Sequence, residues 1–205
     1  SVNRGIGNSS VPFNNLQTPA LILDRAALQR NLDAMHSRMQ RLGVALRPHL
    51  KTAKSADIAR LVTQGQAGGV TVSTLAEAEY FCASGFKDIL YAVGILPAKL
   101  ARVDALAKSG ADIKLVSDSL DTIKAISERS PDSALPFRIL IEVDSGEGRA
   151  GVLADDPVFL EMARVINDAS NMKLMGVMTH AGHSYGCETV DAIKDVAAQE
   201  RERIT

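Results

Sequence analysis

Only two cysteines occur in the 205 residues, Cys82 and Cys187, far apart and in no CxxC arrangement. That excludes a disulfide framework and suits a reducing cytoplasm. Long apolar runs are missing too, and nothing approaches the about 18 apolar residues of a membrane span. Excess charge is nearly absent: 23 Lys and Arg stand against 24 Asp and Glu, a formal net charge of −1. Such a balance argues for neither a nucleic acid nor a membrane partner. Residues 1–16 are polar and rich in Gly, Asn and Ser, with no apolar h-region, so no signal peptide is expected. No GxGxxG follows the first strand-like segment, which leaves a dinucleotide fold without support. No low-complexity stretch or interior linker divides the chain.

What remains is a globular composition, 46% hydrophobic and 23% charged, arranged as alternating short apolar runs and amphipathic stretches. Residues 1–15 read as an irregular arm. Residues 19–24 read as a short strand. A helix is predicted over 25–42, where Leu28, Leu32, Met35, Met39 and Leu42 make one apolar stripe. Asp24 suits its N-cap and Gly43 the residue after its end. Strands are then expected near 44–49, 69–74, 88–93, 112–117, 136–144 and 173–180. Helices are expected near 54–64, 74–84, 97–109, 119–129, 157–169 and 188–204. Thr74 and Glu77 have the spacing of a capping box.

Strict strand–helix alternation at this spacing argues a parallel sheet with right-handed crossovers. The reading is an α/β chain, a partial (β/α)8 barrel of about six units over residues 16–205. A complete eight-unit barrel typically needs about 250 residues, so the sequence is expected to be an incomplete barrel.

In such a barrel the active site is built at the C-terminal ends of the strands. Three junctions carry chemistry there. Arg47-Pro48-His49-Leu50-Lys51-Thr52 places three basic side chains at alternate positions, which in an extended strand share a face. A solvated basic loop is the common fate of such a lysine. Cationic neighbours, however, favour a neutral, nucleophilic amine that can form a Schiff base. The stretch Glu142 to Gly151 combines Glu142 and Asp144 with Gly146, Gly148, Arg149 and Gly151. Its carboxylates either shape the glycine-rich turn or serve a ligand, and Arg149 is a donor for an oxygen anion. Thr179-His180-Ala181-Gly182-His183-Ser184-Tyr185 brings two histidines and a tyrosine to a strand end. As metal ligands they lack a third partner, so no metal ligand is assigned. An imine-forming lysine with a cation and an aromatic ring nearby suits pyridoxal 5′-phosphate.

With Thr18-Pro19-Ala20-Leu21-Ile22-Leu23-Asp24 added, these motifs resemble the D-threonine aldolase / D-serine dehydratase family, collinearly over about residues 16–190. Its members are fold-type III pyridoxal 5′-phosphate enzymes with an alanine-racemase-like barrel. The resemblance implies a metal-assisted lyase acting on small D-β-hydroxy-α-amino acids. Lys51 would carry the cofactor as a Schiff base. Arg149 would donate to its phenolate oxygen, and His180 would lie against its ring. His49 and Tyr185 would line the pocket, with His49 and His180 joining Lys51 as catalytic residues. The divalent metal ligands and the C-terminal β domain would belong to a region this sequence does not contain. The full-length protein would be a homodimer, and this piece alone would have little activity. An amino-acid racemase of the same fold and a non-catalytic cofactor-binding barrel remain open at this point.

Overall fold

The computed structural model describes residues 15–66, 68–129 and 135–205. The expected arm lies, apart from Asn15, outside the described residues. The elements in chain order are α1 (Arg25–Leu42), α2 (Ala56–Thr63), β1 (Val70–Val72), α3 (Leu75–Ala83) and β2 (Asp88–Gly94). A short 3-10 turn, Pro97–Lys99, leads into α4 (Leu100–Lys108). Then come β3 (Asp112–Ser117), α5 (Leu120–Ser127), β4 (Phe137–Val143), α6 (Pro157–Asp168) and β5 (Met172–Thr179). A second 3-10 turn, Gly182–Gly186, precedes α7 (Val190–Ile204). The strands form one parallel sheet in the order β1-β2-β3-β4-β5. This is an α/β fold whose parallel sheet does not close into a barrel. Among the described residues no helix is long and apolar enough to cross a membrane.

Local chemistry explains the helix boundaries. The Asp24 carboxylate accepts the Ala27 N–H, and Gly43 turns left-handed at φ 65° to end α1. Thr74 and Glu77 close a reciprocal capping box on α3. Strand alternation then builds the core. Ile89, Tyr91, Leu115, Ile139 and Ile141 are fully buried and pack on helix residues such as Phe81, Ile123, Met162 and Ile166. Burying each such side chain contributes roughly 1.5–3 kcal/mol.

Two expected strands differ. Residues 19–24 form no strand, and Leu21, Ile22 and Leu23 are exposed. Residues 44–49 contribute only an isolated parallel bridge, His49 to Thr71. Leu50 donates its N–H to the Thr71 carbonyl, and Thr71 donates to Pro48, both at 2.9 Å. The chain therefore runs beside β1 without a continuous ladder, and Pro48 supplies no N–H to extend one. Five strands and a bridge replace the six barrel strands expected from residue 44 onward. The α1 stripe is correspondingly under-used: Leu32 is buried, while Met35 and Leu42 are exposed.

The other face of the sheet carries a charged layer at the strand starts. Arg47 grips Asp88 with two bonds of 2.8 and 2.7 Å. Lys114 bridges Asp88 at 2.6 Å and Asp112 at 3.0 Å, and Arg138 reaches Asp112 at 2.7 Å. Arg47 thus belongs to the end opposite the strand termini, which corrects the expectation that it shares a rim with His49 and Lys51. Its long side chain reaches back across β1 to Asp88, where opposite charge holds it.

Burial works to raise the Asp88 carboxyl, but the bonds from Arg47 and Lys114 outweigh it and hold the group below its ordinary value. A depressed carboxyl contributes stability above its unfolded-state value and loses it as pH falls through the folded value. Asp88→Asn should therefore lower stability at neutral pH by about 1 kcal/mol, the exposed side of Asp88 being screened by water. Urea unfolding at pH 7 and pH 3 checks this: the gap between variant and parent should shrink at the lower pH, and an equal gap at both would contradict it.

Candidate functional site

The site forms where β1, β3, β4 and β5 end. His49 sits on the bridge segment next to β1. Its Nε2 lies 3.2 Å from the Ser73 hydroxyl, and its Nδ1 accepts the Lys51 N–H at 3.2 Å. Lys51 itself is exposed, and its ammonium makes no ion pair among the described residues. Partial burial and the Lys51 charge lower the His49 pKa; Glu77 opposes this and His180 adds to it. His49 therefore shares an electrostatic neighbourhood with Lys51 before it in space and His180 beyond it.

Asp144 and Glu142, two residues apart on β4 and its loop, have opposite fates. The Asp144 carboxylate accepts the N–H groups of Gly146 at 2.8 Å and Gly148 at 3.1 Å, and these bonds lower its pKa. It shapes the turn. Glu142 is buried; desolvation and the nearby Asp118 charge raise its pKa, while His180 and Arg149 pull it back. Asp118, at the end of β3, accepts the Gly151 N–H at 3.0 Å. Gly151 has φ 99°, and a Cβ there would meet the Val143 carbonyl carbon at 2.6 Å, so only glycine fits this return of the loop.

Glu147 ties the two loops together. It sits 2.7 Å from His180 Nδ1 and accepts the Gly182 N–H at 3.1 Å. The His180 bond is the main cause of its lowered pKa; the Gly182 N–H and the His180 and Arg149 charges act the same way, and burial opposes them. Arg149 is exposed on the same loop, without an ion pair among the described residues. Tyr185 is 86% exposed and stands edge-on to the His180 ring, centroids 6.3 Å apart. His183 is not on this rim in the same sense: both ring nitrogens are buried and make no hydrogen bond among the described residues.

His49, Lys51, Arg149, His180 and Tyr185 thus come to one rim. Ser73, Asp118 and Glu147 join them, although the motifs did not single them out. Asp118 follows a strand as Glu142 ends one, a signal present in the sequence. Glu147 offered none beyond its place in the glycine-rich turn, because its partner lies on another loop.

An exposed amine, an unpaired guanidinium, an oriented imidazole and a buried carboxyl are the donor set that a flat, anionic, aldehyde-bearing cofactor requires, so these residues fit pyridoxal 5′-phosphate. Among the described residues no group of three or more His, Cys, Asp or Glu gathers. They do not by themselves fit a divalent metal. Replacing Glu147 tests the loop tie. Glu147→Ala should speed deuterium exchange of the Gly182 amide about tenfold, and Glu147→Gln, which keeps an acceptor oxygen, by less. Equal exchange in all three proteins would refute the tie.

The family described as alanine racemase, N-terminal domain, matches residues 23–205. D-threo-3-hydroxyaspartate dehydratase of Delftia sp. (strain HT23) is 43% identical over 187 residues, 91% of this chain and 49% of that enzyme. Its solved structure superposes with a TM-score of 0.87, covering 92% of this chain and 50% of that one. D-threonine aldolase of Arthrobacter sp is 32% identical over 189 residues, 92% of this chain and 49% of the enzyme. Alanine racemase of Clostridium difficile 630, at 17% identity and a TM-score of 0.67 over 85% of this chain and 48% of that one, shares the fold. The chain spans about half the length of the curated relatives it matches. It belongs to the alanine racemase N-terminal domain family, and its relatives include lyases, dehydratases and aldolases, named for D-hydroxy amino acids.

Proposed function

We propose that the full-length protein is a cytoplasmic, homodimeric, pyridoxal 5′-phosphate-dependent lyase acting on D-3-hydroxy amino acids, a dehydratase or aldolase. The observation that carries this reading is an exposed Lys51 whose N–H is held by His49 beside the end of β1, with His180 oriented by Glu147 at the end of β5. The likeness to D-threo-3-hydroxyaspartate dehydratase supports the substrate class. The cofactor supplies an electron sink for charge left at the substrate α-carbon. Lys51 would hold it through its amine and move a proton at the α-carbon. Arg149 would donate to an anionic oxygen of the ring, and among the described residues it forms no ion pair, which leaves the guanidinium available. Glu147 would keep His180 Nδ1 engaged, so the imidazole presents a fixed face to a flat ring. Tyr185 would edge the same space, and exposed as it is, would close over a bound ligand. A divalent metal and the cofactor phosphate would be held by the portion of the relatives that this chain does not align with.

The test uses full-length protein with pyridoxal 5′-phosphate, with and without divalent metal. D-threo-3-hydroxyaspartate, D-serine and D-threonine are offered in turn. Ammonia and a keto acid mark a dehydratase; glycine and an aldehyde mark an aldolase. Borohydride reduction should fix the cofactor to the peptide containing Lys51. Lys51→Ala should lose that adduct and about 10³-fold or more of turnover. An adduct that survives in Lys51→Ala would overturn the assignment of Lys51.

A further inference from the structure

We infer that Ser73 and Glu77 are positioning residues that act through His49 to hold the Lys51 peptide in one orientation, with His49 serving as a clamp and not as a proton carrier. The role of this clamp in catalysis rests on the proposed reading of Lys51.

The argument begins with hydrogen-bond polarity. A backbone N–H can only donate, so the Lys51 N–H requires a bare His49 Nδ1. A neutral imidazole with a bare Nδ1 carries its proton on Nε2, and that proton points at the Ser73 hydroxyl oxygen, 3.2 Å away. The two contacts are satisfied together by one tautomer. Moving the proton to Nδ1, or adding a second proton, would set two donors against each other at Lys51. A residue so engaged at both nitrogens has no free lone pair with which to accept a substrate proton.

Glu77 fixes the other half of the arrangement. It is 8% exposed, and one carboxylate oxygen accepts the N–H groups of Ser73 at 2.8 Å and Thr74 at 3.3 Å. A capping box needs only the Thr74 contact. The Ser73 contact is additional, and it sets the residue whose hydroxyl meets His49. The second Glu77 oxygen pairs with Lys54 Nζ at 3.2 Å. Lys54 also donates its N–H to the Leu50 carbonyl at 2.9 Å and has φ 45°, a left-handed conformation uncommon for a residue with a side chain. The turn from Lys51 to Lys54 is therefore fastened at its start by His49 and at its end by Glu77. Between the fasteners, the Lys51 side chain is the free element.

The experiment uses full-length protein labelled with 15N-histidine. Long-range proton–nitrogen spectra should assign His49 to the Nε2–H tautomer at neutral pH. Deuterium exchange of the Lys51 amide should be about five- to tenfold faster in His49→Leu and about twofold faster or more in Ser73→Ala. His49→Asn should restore protection, because its Oδ1 can take the place of Nδ1; a merely structural role would not be rescued this way. Trapping of pyridoxal 5′-phosphate on Lys51 by borohydride should follow the same order. An Nδ1–H tautomer, an imidazolium at neutral pH, or equal exchange in all variants would overturn the clamp. Correct tautomer and exchange with no adduct in the parent protein would uphold the clamp and remove the cofactor reading instead.

Discussion

Parallel strands impose the arrangement on which everything else depends. Each strand must be followed by a crossover that returns the chain to the same starting side, so all five strand termini open on one rim. Residues far apart in sequence, from Ser73 to Asp118, Glu142 and His180, are gathered there because each follows or ends a strand. The opposite ends gather a different population, Asp88, Lys114, Asp112 and Arg138, which neutralise one another. A ladder of ion pairs at one end, and Lys51 and Arg149 without an ion pair among the described residues at the other, separate the work of holding the sheet from the work offered to a ligand.

Much of this was legible in the residues. The helix of residues 25–42, the capping box at Thr74, and Asp112–Ser117 as a strand all follow from local patterns, and the structure has them as read. Local signals failed where the outcome is set by a distant partner. Residues 44–49 have strand composition, yet pair only at His49, and residues 19–24 expose their apolar side chains. Alternation placed Arg47 beside Lys51, but a long side chain follows its counter-ion, and Asp88 lies 41 positions away. Glu147 was invisible for the same reason, since nothing near it in sequence announces His180.

Glu142 and Asp144 illustrate how backbone geometry divides labour between identical chemistries. Asp144 is surrounded by N–H donors and stays charged; Glu142 is wrapped in apolar strand and faces Asp118. For a carboxyl raised by burial, the folded state retains its proton more readily than the unfolded state. Its effect on stability therefore has the opposite pH sign from that of Asp144, disfavouring the fold as pH rises past the ordinary carboxylate range. The mouth consequently holds one carboxyl that ionises less readily than an ordinary one and one committed to scaffolding.

Gly182 lies so near Glu147 that a Cβ on it would overlap the carboxylate and come within 2.6 Å of the His180 ring. No larger residue can occupy that position while the carboxylate stays where it is. A side chain there would push the carboxylate aside and break its contact with the imidazole, so the bare backbone at Gly182 is the clearance through which one loop reaches the other.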